Sequence, residues 1–244
     1  MDFWERQIRR AEQLASAGNE LLVFYTSLLR AQREIHDLLA TQQLSGELDR
    51  DLPALRPAFS IILQVVEDVG PQPLVAQAQT LKTQLIDEML LSYWHAPSDT
   101  EFFAKAFLQP YGHFIAPARE SINERRCPQC GGKPQLSFLQ NKEAAESGNR
   151  DLICAKCLWS WAFRRVVCAN CGEEDPAKLA YFQSKTIDHV RVEACDTCKL
   201  YLKSVDLTRL GIAQPLVDEV AAAPLDLWAT EHGYTKIELN LIGL

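Results

Sequence analysis

Eight cysteines constrain this chain more than any other feature. They are Cys127, Cys130, Cys154, Cys157, Cys168, Cys171, Cys195 and Cys198, and the sequence contains no others. They form four Cys-x-x-Cys pairs with no spare thiol. The step from Cys127 to Cys154 is 27 positions, as is the step from Cys168 to Cys195, and the whole set repeats with a period of 41. The flanks repeat as well. Glycine follows the first pair of each set (Gly131 and Gly172), and an apolar, strand-like run follows the second (Leu158–Phe163 and Leu200–Leu202). One unit is written twice.

A Cys-x-x-Cys turn aims two sulfurs at one point, and a following glycine relaxes the tight backbone. Two such turns supply four thiolates at tetrahedral corners. The intervening segments Gln135–Leu139 and His189–Glu193 are β-rich and predict the hairpins that bring the turns together. The repeat pairs Cys127/Cys130 with Cys154/Cys157 and Cys168/Cys171 with Cys195/Cys198; interleaved pairing is the alternative. A unit this small has too little core to fold alone, so metal should contribute folding energy. Structural metal, an iron site of rubredoxin type and a thiol–disulfide pair compete for these residues. A redox pair needs a single Cys-x-x-Cys near a βαβ pattern, which four tandem pairs oppose. Two metal ions, each held by four cysteines, are therefore expected. Ligand identity alone leaves iron and zinc open.

Outside the cysteine region the pattern is helical. Residues 1–17 read as an amphipathic helix, and Glu20–Leu39 carries apolar residues at helical spacing. Pro53 and Pro57 should break the chain, with a further helix from Ala58 to Val69 ended by Gly70-Pro71. Leu74–Tyr93 is another candidate. Ser98-Asp99-Thr100-Glu101 has the form of a capping box; it opens a run through Phe102, Phe103, Phe107 and Leu108 that Pro110 should kink or end. Gln214–His232 reads as a closing helix with Gly233 as its stop. The expected class is α+β: an all-helical domain over 1–123, two tandem rubredoxin-like or zinc-ribbon modules of four cysteines each over 124–164 and 165–212, and a C-terminal helix and tail over 213–244.

Net charge is −6 over 1–123, +3 over 124–212 and −4 over 213–244. A divalent metal bound by four thiolates carries two negative charges, so two such centres cancel the basic excess of the middle segment. No electrostatic footprint for phosphate remains, which argues against nucleic acid as a partner. No apolar run approaches the roughly 20 residues that cross a bilayer. Met1–Gln7 lacks the basic stretch and apolar core of a secretory signal, so a cytoplasmic location is expected. Catalytic signals are thin. His36, His95, His113, His189 and His232 are scattered, and no phosphate-cradling loop or nucleophile elbow is present. Trp159, Trp161 and Phe163 alternate with Ser160 and Ala162, as expected of a strand packing one face. Arg164-Arg165 beyond them reads either as a solvated edge or as a contact to an acidic partner.

The cysteine blocks resemble those of the formate dehydrogenase accessory proteins of the FdhE type. The resemblance rests on Cys127-Pro128-Gln129-Cys130-Gly131, Cys154-Ala155-Lys156-Cys157 and Cys168-Ala169-Asn170-Cys171. It is strongest over Val192–Lys203, and it continues through Leu225–Ala229, Glu231–Tyr234 and Asn240. In the helical part only Glu101–Gln109 is similar. It implies a cytoplasmic, non-catalytic assembly factor that binds the catalytic subunit of formate dehydrogenase. It also implies rubredoxin-like ribbons with iron held by the same eight cysteines, and a longer segment ahead of the helices in other members. A rubredoxin-like electron-transfer protein and a zinc-ribbon scaffold for another partner are the alternative readings.

Overall fold

Apolar residues at helical spacing become helices α1 (Phe3–Ala15), α2 (Glu20–Leu39), α3 (Leu48–Leu55), α4 (Phe59–Val69), α5 (Gln72–Thr80), α6 (Thr83–His95) and α7 (Phe102–Ile115) in a computed structural model that describes residues 1–15, 19–81, 83–97, 101–116, 124–141 and 149–244. The chain divides into two compact units, residues 1–116 and 117–244. In the first, α2 packs against α1, α4 and α7, burying Leu28 and Ile35. Asn19 caps α2 by accepting from the Leu22 N–H at 3.3 Å, which satisfies one of the donors a helix start leaves open.

Two prolines lie inside helices. Pro53 does not break the chain but sits within α3. It removes one backbone hydrogen bond, while Leu48, Leu52 and Leu55 are buried and hold the helix to its neighbours. Asp51 adds to this anchoring, accepting from Ser45 and Gly46 in the preceding loop and from the Tyr111 hydroxyl at 2.8 Å. Pro110 likewise lies inside α7, which continues to Ile115. The missing Pro110 N–H leaves the Ala106 carbonyl without its intrahelical donor, and Gln32 of α2 supplies one, its Nε2 lying 2.9 Å from that oxygen and 2.9 Å from Gln109 Oε1. The expected Leu74–Tyr93 helix is instead two, α5 and α6, with Leu81 extended between them. Thr80 Oγ1 donates to the Gln77 carbonyl at 2.8 Å, a local bond that competes with helix continuation. Ser98, Asp99 and Thr100 of the expected capping box lie outside the described residues.

The second unit is built on one mixed sheet of β1 (Pro134–Gln140), β2 (Asn149–Cys154), β3 (Ser160–Phe163), β4 (Leu179–Gln183), β5 (Val190–Cys195), β6 (Leu200–Asp206) and the short β7 (Thr235–Lys236). The strand order is β3-β2-β1-β6-β5-β4, with β7 added to β6. Each cysteine repeat forms an antiparallel meander, β1-β2-β3 and then β4-β5-β6. The first strand of one repeat pairs in parallel with the last strand of the other, Leu136 opposite Lys203 and Phe138 opposite Val205. The two ribbons thus share a sheet.

The expected closing helix is two, α8 (Pro215–Ala221) and α9 (Ala223–Glu231). Pro224 disfavours helical backbone just before it and cannot donate to the turn behind it. Lys203 of β6 and Lys236 of β7 meet Glu219 of α8 and Asp226 of α9 in a buried ionic cluster. Tyr201 donates to Asp226 and Asn240 to Glu219, at 2.8 and 2.9 Å. Among the described residues no helix is long and apolar enough to cross a membrane.

Candidate metal centres

The eight cysteines converge into two clusters with the pairing the repeat implies: Cys127, Cys130, Cys154 and Cys157 in one, Cys168, Cys171, Cys195 and Cys198 in the other. Within each, the sulfurs lie within 4.8 Å of one another. The shorter separations are 3.4 Å for Cys130–Cys154, 3.5 Å for Cys130–Cys157 and 3.6 Å for Cys127–Cys157. In the second cluster Cys168–Cys198 is 3.8 Å and Cys171–Cys195 is 3.6 Å. A disulfide requires about 2.05 Å, and all eight are free. A metal–sulfur bond of about 2.3 Å places tetrahedral sulfurs roughly 3.8 Å apart, so each cluster has the dimensions of a tetrahedral ion site.

The turns that aim these sulfurs share one design. The residue after each pair is left-handed: Gly131 at φ 72°, Leu158 at 57°, Gly172 at 83° and Lys199 at 56°. In each turn the N–H of that residue donates to the carbonyl of the first cysteine, as in Gly131 to Cys127 at 2.8 Å and Lys199 to Cys195 at 2.8 Å. Amides also point at sulfur, with Lys156 N 3.3 Å from Cys154 Sγ and Asn170 N 3.4 Å from Cys168 Sγ. Such bonds favour the thiolate over the thiol. Gly132 adds a steric requirement, since a Cβ there would stand 2.8 Å from Cys154 Sγ and 3.3 Å from Cys130 Sγ. Glycine after the first pair was legible in the sequence; the second glycine was not, because what crowds it comes from the opposite turn.

Electrostatics point the same way. Burial drives Cys154 well above the ordinary thiol value, and it pushes Cys168 up to about 12. Hydrogen bonds from the other three cysteines pull Cys130 down. Without a cation, the sulfurs of a cluster cannot all be thiolates at neutral pH. A divalent ion can take the place of the remaining protons and offsets half of the four thiolate charges.

The clusters differ in setting. The first is embedded in a core with Leu152, Trp161, Phe163 and Val167. Trp161 and Phe163 pack inward as the alternation predicted, and Trp161 Nε1 donates to the Glu124 carbonyl at 2.6 Å. Cys171 and Cys198 of the second cluster are partly exposed. Arg164 pairs with Glu174 at 2.5 Å. The histidines take other partners. His189 meets Asp218 at 2.9 Å, His232 stacks on Trp228, His36 and His113 join an aromatic group with Trp4, and His95 lies 3.6 Å from Asp49. Sequence reasoning overlooked Arg150, whose guanidinium contacts Glu193 and the backbone ahead of Cys168. Its signal was the charged pair Arg150-Asp151 leading into the apolar Leu152-Ile153 and Cys154.

Comparison with known proteins places this arrangement in a lineage. The model of a family described as "FdhE, C-terminal domain" matches residues 166–242. An FdhE homolog of Aquifex aeolicus (strain VF5) is 30% identical over 253 residues, spanning 96% of this chain and 89% of that protein. An FdhE homolog of Haemophilus influenzae (strain PittEE) is 30% identical over 217 residues, 87% of this chain and 69% of that protein. The crystal structure of the FdhE protein from Pseudomonas aeruginosa aligns with a TM-score of 0.71 at 22% identity, covering 99% of this chain and 95% of that one, so the two share a fold. The match to the Aquifex protein over most of both chains, together with the family model over the second cysteine repeat, shows that this chain belongs to the FdhE family.

Proposed function

We propose that this protein is a non-catalytic assembly factor that binds the catalytic subunit of formate dehydrogenase and supports its maturation in the cytoplasm. The single observation that carries this reading is the pair of preorganised tetrathiolate clusters in a chain of the FdhE family. In this reading Cys127, Cys130, Cys154 and Cys157 hold one metal ion, and Cys168, Cys171, Cys195 and Cys198 hold another. The ion is iron, as the resemblance implies, or zinc, which the same sulfur geometry accommodates. Bound metal fixes the four turns and gives a client a rigid surface. A second reading, electron transfer to or from the client, is favoured by one feature: Cys171 and Cys198 are partly exposed residues, and a centre exchanging electrons with a partner must lie near the surface.

The test is co-purification of the tagged protein with formate dehydrogenase from cells grown without oxygen, alongside elemental analysis of the isolated chain. Recovery of the catalytic subunit with two metal ions per chain is the expected result. Intact protein that carries two metals yet never retains that subunit would overturn the partner assignment. Two zinc ions would remove the electron-transfer reading, and two irons with thiolate charge-transfer bands would keep it.

A further inference from the structure

The two clusters lie on one sheet, and the residues flanking the first reach across to the backbone that shapes the second. Arg150 stands on β2, the strand that ends at Cys154. Its side chain is 3% exposed and ion-pairs with Glu193, itself 8% exposed, at 2.5 Å. Glu193 lies on β5, two residues before Cys195. The same guanidinium donates to the carbonyls of Arg164 and Val167 at 3.0 Å each, and Val167 directly precedes Cys168. One side chain from the first repeat therefore holds both approaches to the second cluster, and with Cys168 and Cys195 it lines one small cleft.

A separate contact repeats the connection from the other end. Arg125, two residues before Cys127, donates to the Asn170 carbonyl at 3.0 Å. Asn170 sits between Cys168 and Cys171, so this bond lies inside a ligand turn of the second cluster. The Arg125 side chain also covers Gly172, where an added Cβ would meet its Nη1 at 3.6 Å. Apolar packing runs the same way, with Val167 and Ala169 buried in the core that contains Cys127, Cys154 and Cys157.

We propose that the two metal centres load as a positively coupled pair, with Arg150 as the positioning residue that transmits order from the first to the second. Metal at the first centre fixes Cys154 and with it the end of β2. An ordered β2 presents Arg150 to Val167 and Glu193, which pre-sets Cys168 and Cys195. The second ion then binds sulfurs that are already placed, and the ordering cost of its site is reduced. By linkage, metal at the second centre must favour the first by the same factor. Arg191, at the repeat-equivalent position of Arg150, contacts the same Glu193 at 2.7 Å. Its contact stays within the second repeat and leaves the crossing to Arg150.

This inference rests on the proposed metal occupancy, and its test separates the two. Full-length protein stripped of metal is titrated with Co(II) without oxygen, against a competing chelator, while thiolate-to-cobalt bands report loading. The first centre is disabled by Cys127→Ser with Cys130→Ser, and the Co(II) affinity of the second centre is compared with that in the native chain. A loss of about tenfold is expected, within the usual range of coupling between sites. In an Arg150→Met background the same disabling should cost about twofold or less, with Arg150→Lys between. An unchanged second centre, or an equal loss with and without Arg150, would overturn the coupling while leaving metal binding intact. No cobalt bands at either centre would overturn the metal reading itself.

Should the double-serine chain fail to fold, Arg125→Ala and Arg150→Lys keep all eight cysteines and carry the test. Each should leave the first loading step unchanged and weaken the second by about two- to threefold. Two unchanged steps would refute the proposal.

Discussion

Gly131 and Gly132 are neighbours that serve different ends. Gly131 has φ 72° with open space where a Cβ would stand, whereas a Cβ on Gly132 would be crowded by the sulfurs of Cys154 and Cys130. Alanine at 131 forces a left-handed residue and should cost about 1 kcal/mol, with both metals retained. Alanine at 132 pushes a methyl group into Cys154 Sγ, a ligand that cannot retreat without leaving the tetrahedron. Gly132→Ala should therefore reduce the bound metal from two ions per chain to one, with loss confined to the first centre. Elemental analysis of the two variants side by side checks this, and two ions in both would refute the steric argument. The left-handed Leu158 and Lys199 show that the backbone turn, and not glycine as such, is what these positions share.

At the scale of elements, hydrogen-bond satisfaction decided where sequence punctuation failed. Pro110 removes the donor to the Ala106 carbonyl, and Gln32 from another helix replaces it. Gln32→Leu should cost about 1–3 kcal/mol in chemical denaturation, because a buried carbonyl loses its donor. In a Pro110→Ala background the restored N–H takes that role, so the same substitution should cost clearly less; equal costs would show that the carbonyl is not the issue. A proline signal in sequence is local, and the glutamine that supplies the missing donor is far away, so the choice between ending α7 at Pro110 and carrying it through was not legible. Helix α2 was legible to the residue, because its apolar spacing and its Asn19 cap are both local. Strands β1, β3, β5 and β6 were legible as β-rich or apolar runs beside the cysteine pairs, whereas β2, β4 and β7 were not read, and neither was the parallel joining of β1 to β6, which depends on which faces the two meanders bury together. The ionic cluster behind β6 left only a faint trace, a lysine in phase with Tyr201 and Val205.

That cluster has a calculable pH dependence. Burial pushes the Glu219 carboxyl up, but the Lys203 and Lys236 charges and the bonds from Lys236 and Asn240 outweigh it, leaving Glu219 at about 2. A carboxyl depressed below its unfolded value of 4.5 contributes stability that is fully present above that value. The contribution is lost as pH falls from there toward about 2. Glu219→Gln strands two buried lysines beside Asp226 alone and should destabilise the second unit by about 3–5 kcal/mol at neutral pH. Urea unfolding of the variant should lose the part of the native acid dependence between pH 4.5 and 2 that belongs to this residue. An unaltered acid profile would place that dependence elsewhere.

Over the whole molecule, the two units draw stability from different sources. Residues 1–116 bury large apolar side chains such as Trp4, Leu28, Ile35, Phe59 and Phe107 between helices, and none of the eight cysteines belongs to them. In the described part of 117–244 a sheet, with α8 and α9, carries the four cysteine turns, and the core around the first cluster contains three of its four cysteines as buried residues. A metal bound only by the folded state stabilises that state by mass action, about 4 kcal/mol per site when free metal exceeds the dissociation constant a thousandfold. Metal removal should therefore act on one unit and spare the other. Hydrogen exchange followed by mass spectrometry reads this segment by segment. After strong chelation without oxygen, amides of β1, β2, β5 and β6 should exchange at least tenfold faster, while those of α2 and α7 keep their protection. Lowering the pH should do the same as chelation, because the thiols must lose protons to bind metal and regain them in acid, so affinity falls as pH falls. The acid loss should begin above pH 4.5, before Glu219 titrates, and restoring neutral pH with metal should reverse it. If chelation left the strands as protected as before, the sheet would be self-sufficient and the metal would have to be explained by its chemistry alone. If it opened α2 and α7 together with the strands, the two units would share one folding transition and the separation of their stabilities would be wrong.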